Sequence, residues 1–128
     1  MKLLFSSLMI LFVTTVAAST NPRIAYNLVQ EGKAVMVDVR EKEEIAEGMV
    51  DLAVWFPKSK TNTDPNWIED FLDLTEGKEI FLYCRSGRRS EAFRKLLEVK
   101  GVESVNIGGY NDLKNILPTS IPQKSRKL

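Results

Sequence analysis

Glu79-Ile80-Phe81-Leu82-Tyr83-Cys84-Arg85-Ser86-Gly87-Arg88-Arg89-Ser90 is the stretch from which the rest of the chain can be read. After Glu79 the residues Ile80 to Tyr83 form a short apolar run, as expected for a strand buried on both faces. From Ser90 to Lys100 the pattern changes: Ala92, Phe93, Leu96 and Leu97 recur at helical spacing, and Gly101 ends the run. Between the two lies a tight polar turn carrying a cysteine, a glycine and three arginines. A strand that passes directly into an amphipathic helix is the repeating unit of a parallel sheet.

The flanks repeat that unit. Upstream, Ala34-Val35-Met36-Val37-Asp38-Val39 is a second continuous apolar run, preceded by a helix with an Asn21 cap, Pro22 at its first position and Gly32 beyond its end. The acidic segment Glu41 to Glu47 reads as one short helix stopped by Gly48. Leu52-Ala53-Val54-Trp55-Phe56 reads as another strand, ended by Pro57, and Lys58 to Thr63 as a polar loop. Asp64-Pro65 opens a helix whose Trp67, Ile68, Phe71 and Leu72 share a face. Downstream, Ser104-Val105-Asn106-Ile107 is a fourth strand, and Gly108-Gly109 marks the turn into a helix over Tyr110 to Asn115. The expected class is therefore α/β: one domain, a mainly parallel sheet flanked by helices on both faces.

Both ends read differently. Lys2, the apolar run Leu3 to Val13 and the small residues up to Ser19 follow the three-part pattern of an export signal, with cleavage after Ala18 or Ser19. The apolar run is shorter than the ~20 residues of a membrane span, so no stable membrane insertion is expected after cleavage. The expected organisation is a signal peptide at 1–19, the folded domain at 20–118 and a flexible polar tail at 119–128, with Lys124, Arg126 and Lys127 solvating the tail. A Lys-led leader of this kind implies a bacterial periplasmic or secreted protein.

Composition narrows the chemistry. The chain has 128 residues with 18 Lys plus Arg against 17 Asp plus Glu; removing Lys2 with the leader leaves 17 against 17. A neutral chain lacks the basic excess of a nucleic-acid binder. The sequence contains no histidine, which rules out Ser-His-Asp, Cys-His and His-ligated metal sites, and a single cysteine, which rules out an internal disulfide and Cys-cluster metals. No cofactor is expected. With no heptad or broad apolar stripe, a monomer is expected.

Alone, a cysteine after an apolar strand reads as a small core residue. The neighbours of Cys84 argue otherwise. Its thiol stands at a helix N-terminus, where backbone N–H groups and the macrodipole favour an anion. Arg85, Arg88 and Arg89 lie within five residues, and both effects lower a thiol pKa. Gly87 allows the backbone angles with which a loop turns its amides inward to form an anion nest. Cys84 is thus expected to be a reactive, anion-handling thiolate, with Arg85, Ser86, Gly87, Arg88, Arg89 and Ser90 binding the substrate around it. Arg89 is also a candidate for pairing with an acid behind the loop, and Ser90 for capping the helix. Asp38 and Arg40, at the end of the neighbouring strand, are placed either to line the same face as the thiol or, the preferred reading, to support the loop as an ion pair.

These segments resemble the rhodanese sulfurtransferases, and small exported members of the phage-shock type in particular. Cys84-Arg85-Ser86-Gly87-Arg88-Arg89-Ser90 is similar to the catalytic loop of that family. Val37-Asp38-Val39-Arg40-Glu41 with Glu44 resembles its Asp-Val-Arg…Glu box, Gly48 to Pro57 its second-strand box, and Asn106-Ile107-Gly108-Gly109-Tyr110 its Gly-Gly turn. Met49 stands where His is usual, Leu52 where a second Gly is usual, and Leu113 where Trp is common.

The resemblance implies a single rhodanese-like domain and a thiosulfate sulfurtransferase. Cys84 would take the outer sulfur of thiosulfate as a persulfide and pass it to cyanide or a thiol, with a thiol reductant protein as a further partner. The alternative is a sulfur carrier without turnover, or a binding module on the same fold. A phosphatase is disfavoured, because that chemistry places Arg six positions after Cys, where this chain has Ser90 and brings Arg89 one residue early.

Overall fold

The computed structural model describes residues 20–122. The expected leader and the basic residues Lys124, Arg126 and Lys127 lie outside the described residues. No helix among those described is long and apolar enough to cross a membrane.

Four strands form one parallel sheet in the order β3-β1-β4-β5: β1 (Ala34–Asp38), β3 (Val54–Trp55), β4 (Glu79–Cys84) and β5 (Val105–Gly109). Register pairs Asp38 with Tyr83 and Cys84 with Gly109. The strand that ends in Cys84 is therefore interior, with a neighbour on each side. Strand alternation divides the core in two. On one face Val35, Val37, Ile80, Leu82 and Cys84 meet Trp67 and Phe71 of α4 (Trp67–Thr75) and Phe93 and Leu97 of α5 (Arg88–Val99). On the other face Ala34, Met36, Phe81 and Tyr83 meet Ala25 and Tyr26 of α1 (Pro22–Gln30) and Leu113 of α6 (Tyr110–Leu113). Phe93 stands among Phe56, Trp67 and Phe71, with ring centroids 5.3–5.9 Å away. Helices cover both faces, as the apolar runs imply.

Local chemistry sets the helix starts. The Asn21 side chain accepts the Arg23 N–H at 2.9 Å and Pro22 opens α1. α2 (Lys42–Ile45) carries a capping box between Glu41 and Glu44.

Four expectations need correction. Thr119 and Ser120, assigned to the flexible tail, form β6 (Thr119–Ser120), which pairs antiparallel with β2 (Met49–Val50). Two-residue pairings of this kind are made by backbone groups and leave no periodicity to read. The strand expected over Leu52 to Phe56 is only Val54–Trp55, with β2 separate before it. The loop from Lys58 contains a helical turn, α3 (Lys60–Thr63), and α4 begins at Trp67 because Asp64 accepts the Asn66 N–H at 2.9 Å and holds a turn there. Finally, α5 begins at Arg88, so Ser90 lies inside its first turn and does not cap it.

The turn between β2 and β3 explains the unusual Leu52. Its φ is 68°, in the left-handed region, and its side chain is 53% exposed. A side chain there costs roughly 1–2 kcal/mol with only half of it covered in return. Leu52→Gly is expected to raise stability by about 1 kcal/mol in denaturant unfolding; an unchanged or lower midpoint would show that the turn is not strained.

Candidate active site

Cys84 ends β4 and is 1% exposed. The chain leaves the sheet through Arg85 and Ser86 and reverses at Gly87, whose φ of 97° is a left-handed conformation that a Cβ would oppose. That turn sends the Gly87 N–H back to the Cys84 Sγ at 3.1 Å. The Ser90 hydroxyl lies 3.4 Å from the same sulfur and 2.8 Å from Asn106 Oδ1. Burial pushes the thiol pKa up, but the Ser90 hydroxyl and the N–H groups of Ser90, Ser86 and Gly87 outweigh it and bring the thiol below its ordinary value. Hydrogen bonds are thus the leading causes that favour the thiolate, where the sequence directed attention to the arginines as well.

The three arginines divide. Arg89 grips Glu44 of α2 with both terminal nitrogens, at 2.5 and 2.7 Å, so the expected acid behind the loop is Glu44. Arg85 and Arg88 are exposed and form no ion pair among the described residues.

Asp38 and Arg40 form a buried ion pair at 2.8 Å. Asp38 continues the Ala34, Met36 face, opposite the one that carries Cys84, so the pair does not line the thiol. Its function is indirect. Arg40 donates to the carbonyls of Gly48, at 2.6 Å, and Glu44, at 3.4 Å, and lies 4.0 Å from the Tyr110 ring centroid. A buried arginine thereby fixes the C-terminal half of α2, whose Glu44 side chain holds Arg89, and the turn that follows it.

Two positions were not singled out from sequence. Asn106 of β5 donates to the Gly87 carbonyl at 2.9 Å and accepts from Ser90 and from the Gly108 N–H at 3.0 Å. Gly109 has ordinary extended angles, but a Cβ there would collide with the backbone of Arg85 and Ser86. Its requirement is close approach, not φ. The available signal was a carboxamide and a Gly-Gly pair at the carboxyl end of the strand beside the cysteine strand.

The sequence profile of the Rhodanese-like domain family matches residues 21–116. The chain belongs to that family. The Bacillus velezensis protein named tRNA uridine(34) hydroxylase is 33% identical over 92 residues, 72% of this chain but 29% of that protein. The Bacillus subtilis protein named "Putative sulfurtransferase YtwF" is 39% identical over 74 residues, 58% of this chain and 66% of its own length. Among solved structures, human single domain sulfurtransferase TSTD1 shares the fold with a TM-score of 0.60 at 23% identity, covering 80% of this chain and 99% of its own. The chain thus spans less than a third of the length of the hydroxylase that it matches, and most of that of the single-domain sulfurtransferase.

Glu44 gives the site a distinct acid response. Its hydrogen bonds with Arg89 outweigh partial burial and hold its carboxyl at about 2, against an ordinary 4.5. A depressed folded-state pKa contributes stability above the ordinary value, which is lost as pH falls from about 4.5 towards about 2. Acid unfolding of Glu44→Gln should therefore fall less steeply than wild type across that window, with lower stability at neutral pH. Parallel curves would show that the ion pair contributes nothing.

Proposed function

We propose that the chain is a sulfurtransferase that moves sulfane sulfur from thiosulfate, or a similar small anion, to cyanide or a thiol through a persulfide on Cys84. The observation that carries this reading is the sulfur's position, at the centre of a loop whose Gly87 N–H donates to it at 3.1 Å with Ser86 and Ser90 contributing alongside. Such a cradle fits a sulfur that must stay anionic before and after it is loaded. Family membership and a relative named as a sulfurtransferase support the same chemistry.

In the first step the Cys84 thiolate attacks the outer sulfur of thiosulfate. A Cys84 S–S bond forms, the S–S bond of the donor breaks, and its electron pair leaves with sulfite. Three negative charges enter and three remain, one on the persulfide and two on sulfite, so no proton and no external oxidant is required. In the second step the acceptor attacks the outer persulfide sulfur, the new S–S bond breaks, and its electrons return to Cys84 as thiolate. Cyanide leaves as thiocyanate, or a thiolate as its own persulfide. Two half-reactions through one covalent intermediate imply ping-pong kinetics.

The loop's parts divide the work. Backbone donors are aimed in advance at charge on sulfur, in the manner of an oxyanion hole. The exposed Arg85 and Arg88 attract the dianionic donor. Arg89 holds the loop through Glu44, and the buried Asp38–Arg40 pair holds α2. No histidine is required, because the thiolate is stabilised directly. With no second cysteine in the chain, reductant and acceptor must come from outside. We further propose that the leader delivers the protein to a bacterial periplasm or to the medium, where it acts as a monomer.

Incubation with thiosulfate should add one sulfur atom to the mass of the protein, and Cys84→Ala should gain none. If wild type gains none from thiosulfate, 3-mercaptopyruvate or polysulfide, the sulfurtransferase reading fails; loading without steady-state turnover would identify a carrier. Arg85→Ala and Arg88→Ala should each raise KM for thiosulfate several-fold with little change in kcat, and wild-type KM should rise with salt. A salt-independent KM would remove the arginines from donor capture.

A further inference from the structure

Three separate hydrogen bonds converge on one side chain outside the loop. The Asn106 carboxamide donates from Nδ2 to the Gly87 carbonyl at 2.9 Å and accepts at Oδ1 from the Ser90 hydroxyl at 2.8 Å and the Gly108 N–H at 3.0 Å. It thus ties the sulfur loop, the first turn of α5 and the Gly-Gly turn to β5. Two of its partners, Gly87 and Ser90, are also partners of the Cys84 sulfur, at 3.1 and 3.4 Å.

Gly87 is held from both sides: its N–H points to the sulfur and its carbonyl to Asn106, with the Glu91 N–H on the same carbonyl at 3.2 Å. Gly87, in its left-handed conformation, has no side chain to cap α5, so the Asn106 carboxamide supplies the side-chain contact to its peptide. The Ser90 hydroxyl carries one proton and faces two acceptors, so Asn106 also sets where that hydroxyl sits relative to the sulfur. The charged groups close by are Glu91, 3.4 Å from Asn106 Nδ2 and itself held by Arg94 at 2.6 Å, and the Arg89–Glu44 pair.

We propose that Asn106 is a positioning residue for Cys84: its carboxamide fixes the Gly87 peptide so that the Gly87 N–H stays aimed at the sulfur, and it anchors the Ser90 hydroxyl beside that sulfur. Asn106 itself touches neither sulfur nor substrate and acts only through those two groups. This inference rests on the proposed sulfur chemistry for its purpose, but its geometry can be tested without a sulfur donor.

The test is the pH dependence of Cys84 alkylation by iodoacetamide, followed by mass, in wild type, Asn106→Leu and Asn106→Ser. Leu keeps the approximate volume and makes none of the three hydrogen bonds; Ser keeps a polar group that is too short to bridge Gly87 and Ser90. Circular dichroism checks that each is folded, and Asn106→Ser carries the test if the Leu variant is not. Positioning predicts a midpoint raised by roughly one pH unit, which is about tenfold slower alkylation at pH values well below both midpoints. Where wild type is loaded by thiosulfate, kcat should fall in parallel while KM, set by Arg85 and Arg88, stays the same. An unchanged or lowered alkylation midpoint in a folded variant, even with a lower Tm, overturns the proposal and leaves Asn106 a brace of the fold alone. If wild-type alkylation behaves as stated but thiosulfate never loads Cys84, the donor assignment fails and the positioning role stands.

Discussion

A buried sulfur can be anionic only if the protein supplies donors to replace water, and the site is arranged around that requirement. Cys84 is almost fully covered, so burial alone would keep its proton in place. The opposing effect comes from backbone N–H groups in a turn made possible by the left-handed angles of Gly87, together with one hydroxyl from Ser90. These donors exist because an interior parallel strand ends in the cysteine and a helix begins four residues later. Shift the register of β4 by one residue and the cysteine would face the opposite core.

Holding that turn takes more side chains than forming it. Glu44 grips Arg89 on one side, and Glu44 is itself placed by Arg40, which reaches the backbone of the α2 segment from its buried pair with Asp38. On the other side the β5 strand presses Gly109 against the backbone of Arg85 and Ser86, where any Cβ would collide. Two layers of support, one charged and one made of close backbone packing, thus confine the turn from Arg85 to Gly87. Arg85 and Arg88 are left outside this scaffold, and that freedom suits the capture of a small anion.

Much of this was legible in the sequence because it follows from period and punctuation. The apolar runs over Ala34 to Val39 and Ile80 to Tyr83 could only be buried strands, and the 3.6-residue spacing of Phe93 and Leu97 fixed the helix that follows. Cys84 stood out through its neighbours, and the pairing of Arg89 with an acid and the Asp38–Arg40 ion pair were anticipated. What escaped depends on contacts between segments distant in the chain. Asn106 is sixteen residues from Ser90, and its carboxamide in a half-buried strand looks like any polar position. Gly109 reads as a turn residue, although its need is steric. The β2–β6 pairing joins Met49 to Ser120 through backbone groups alone, and no side-chain pattern announces it. Ser90 looked equally suited to cap a helix until the helix proved to start two residues earlier.

The central claim is that loop donors outweigh burial at Cys84, and the most direct measurement is titration of the lone thiol by its thiolate ultraviolet absorbance, with Cys84→Ala as the blank. Because the chain has a single cysteine, the difference signal belongs to that residue alone. The account predicts a midpoint clearly below the ~8.5 of a free cysteine. A midpoint at or above that value would mean that burial prevails and that the loop does not hold an anion.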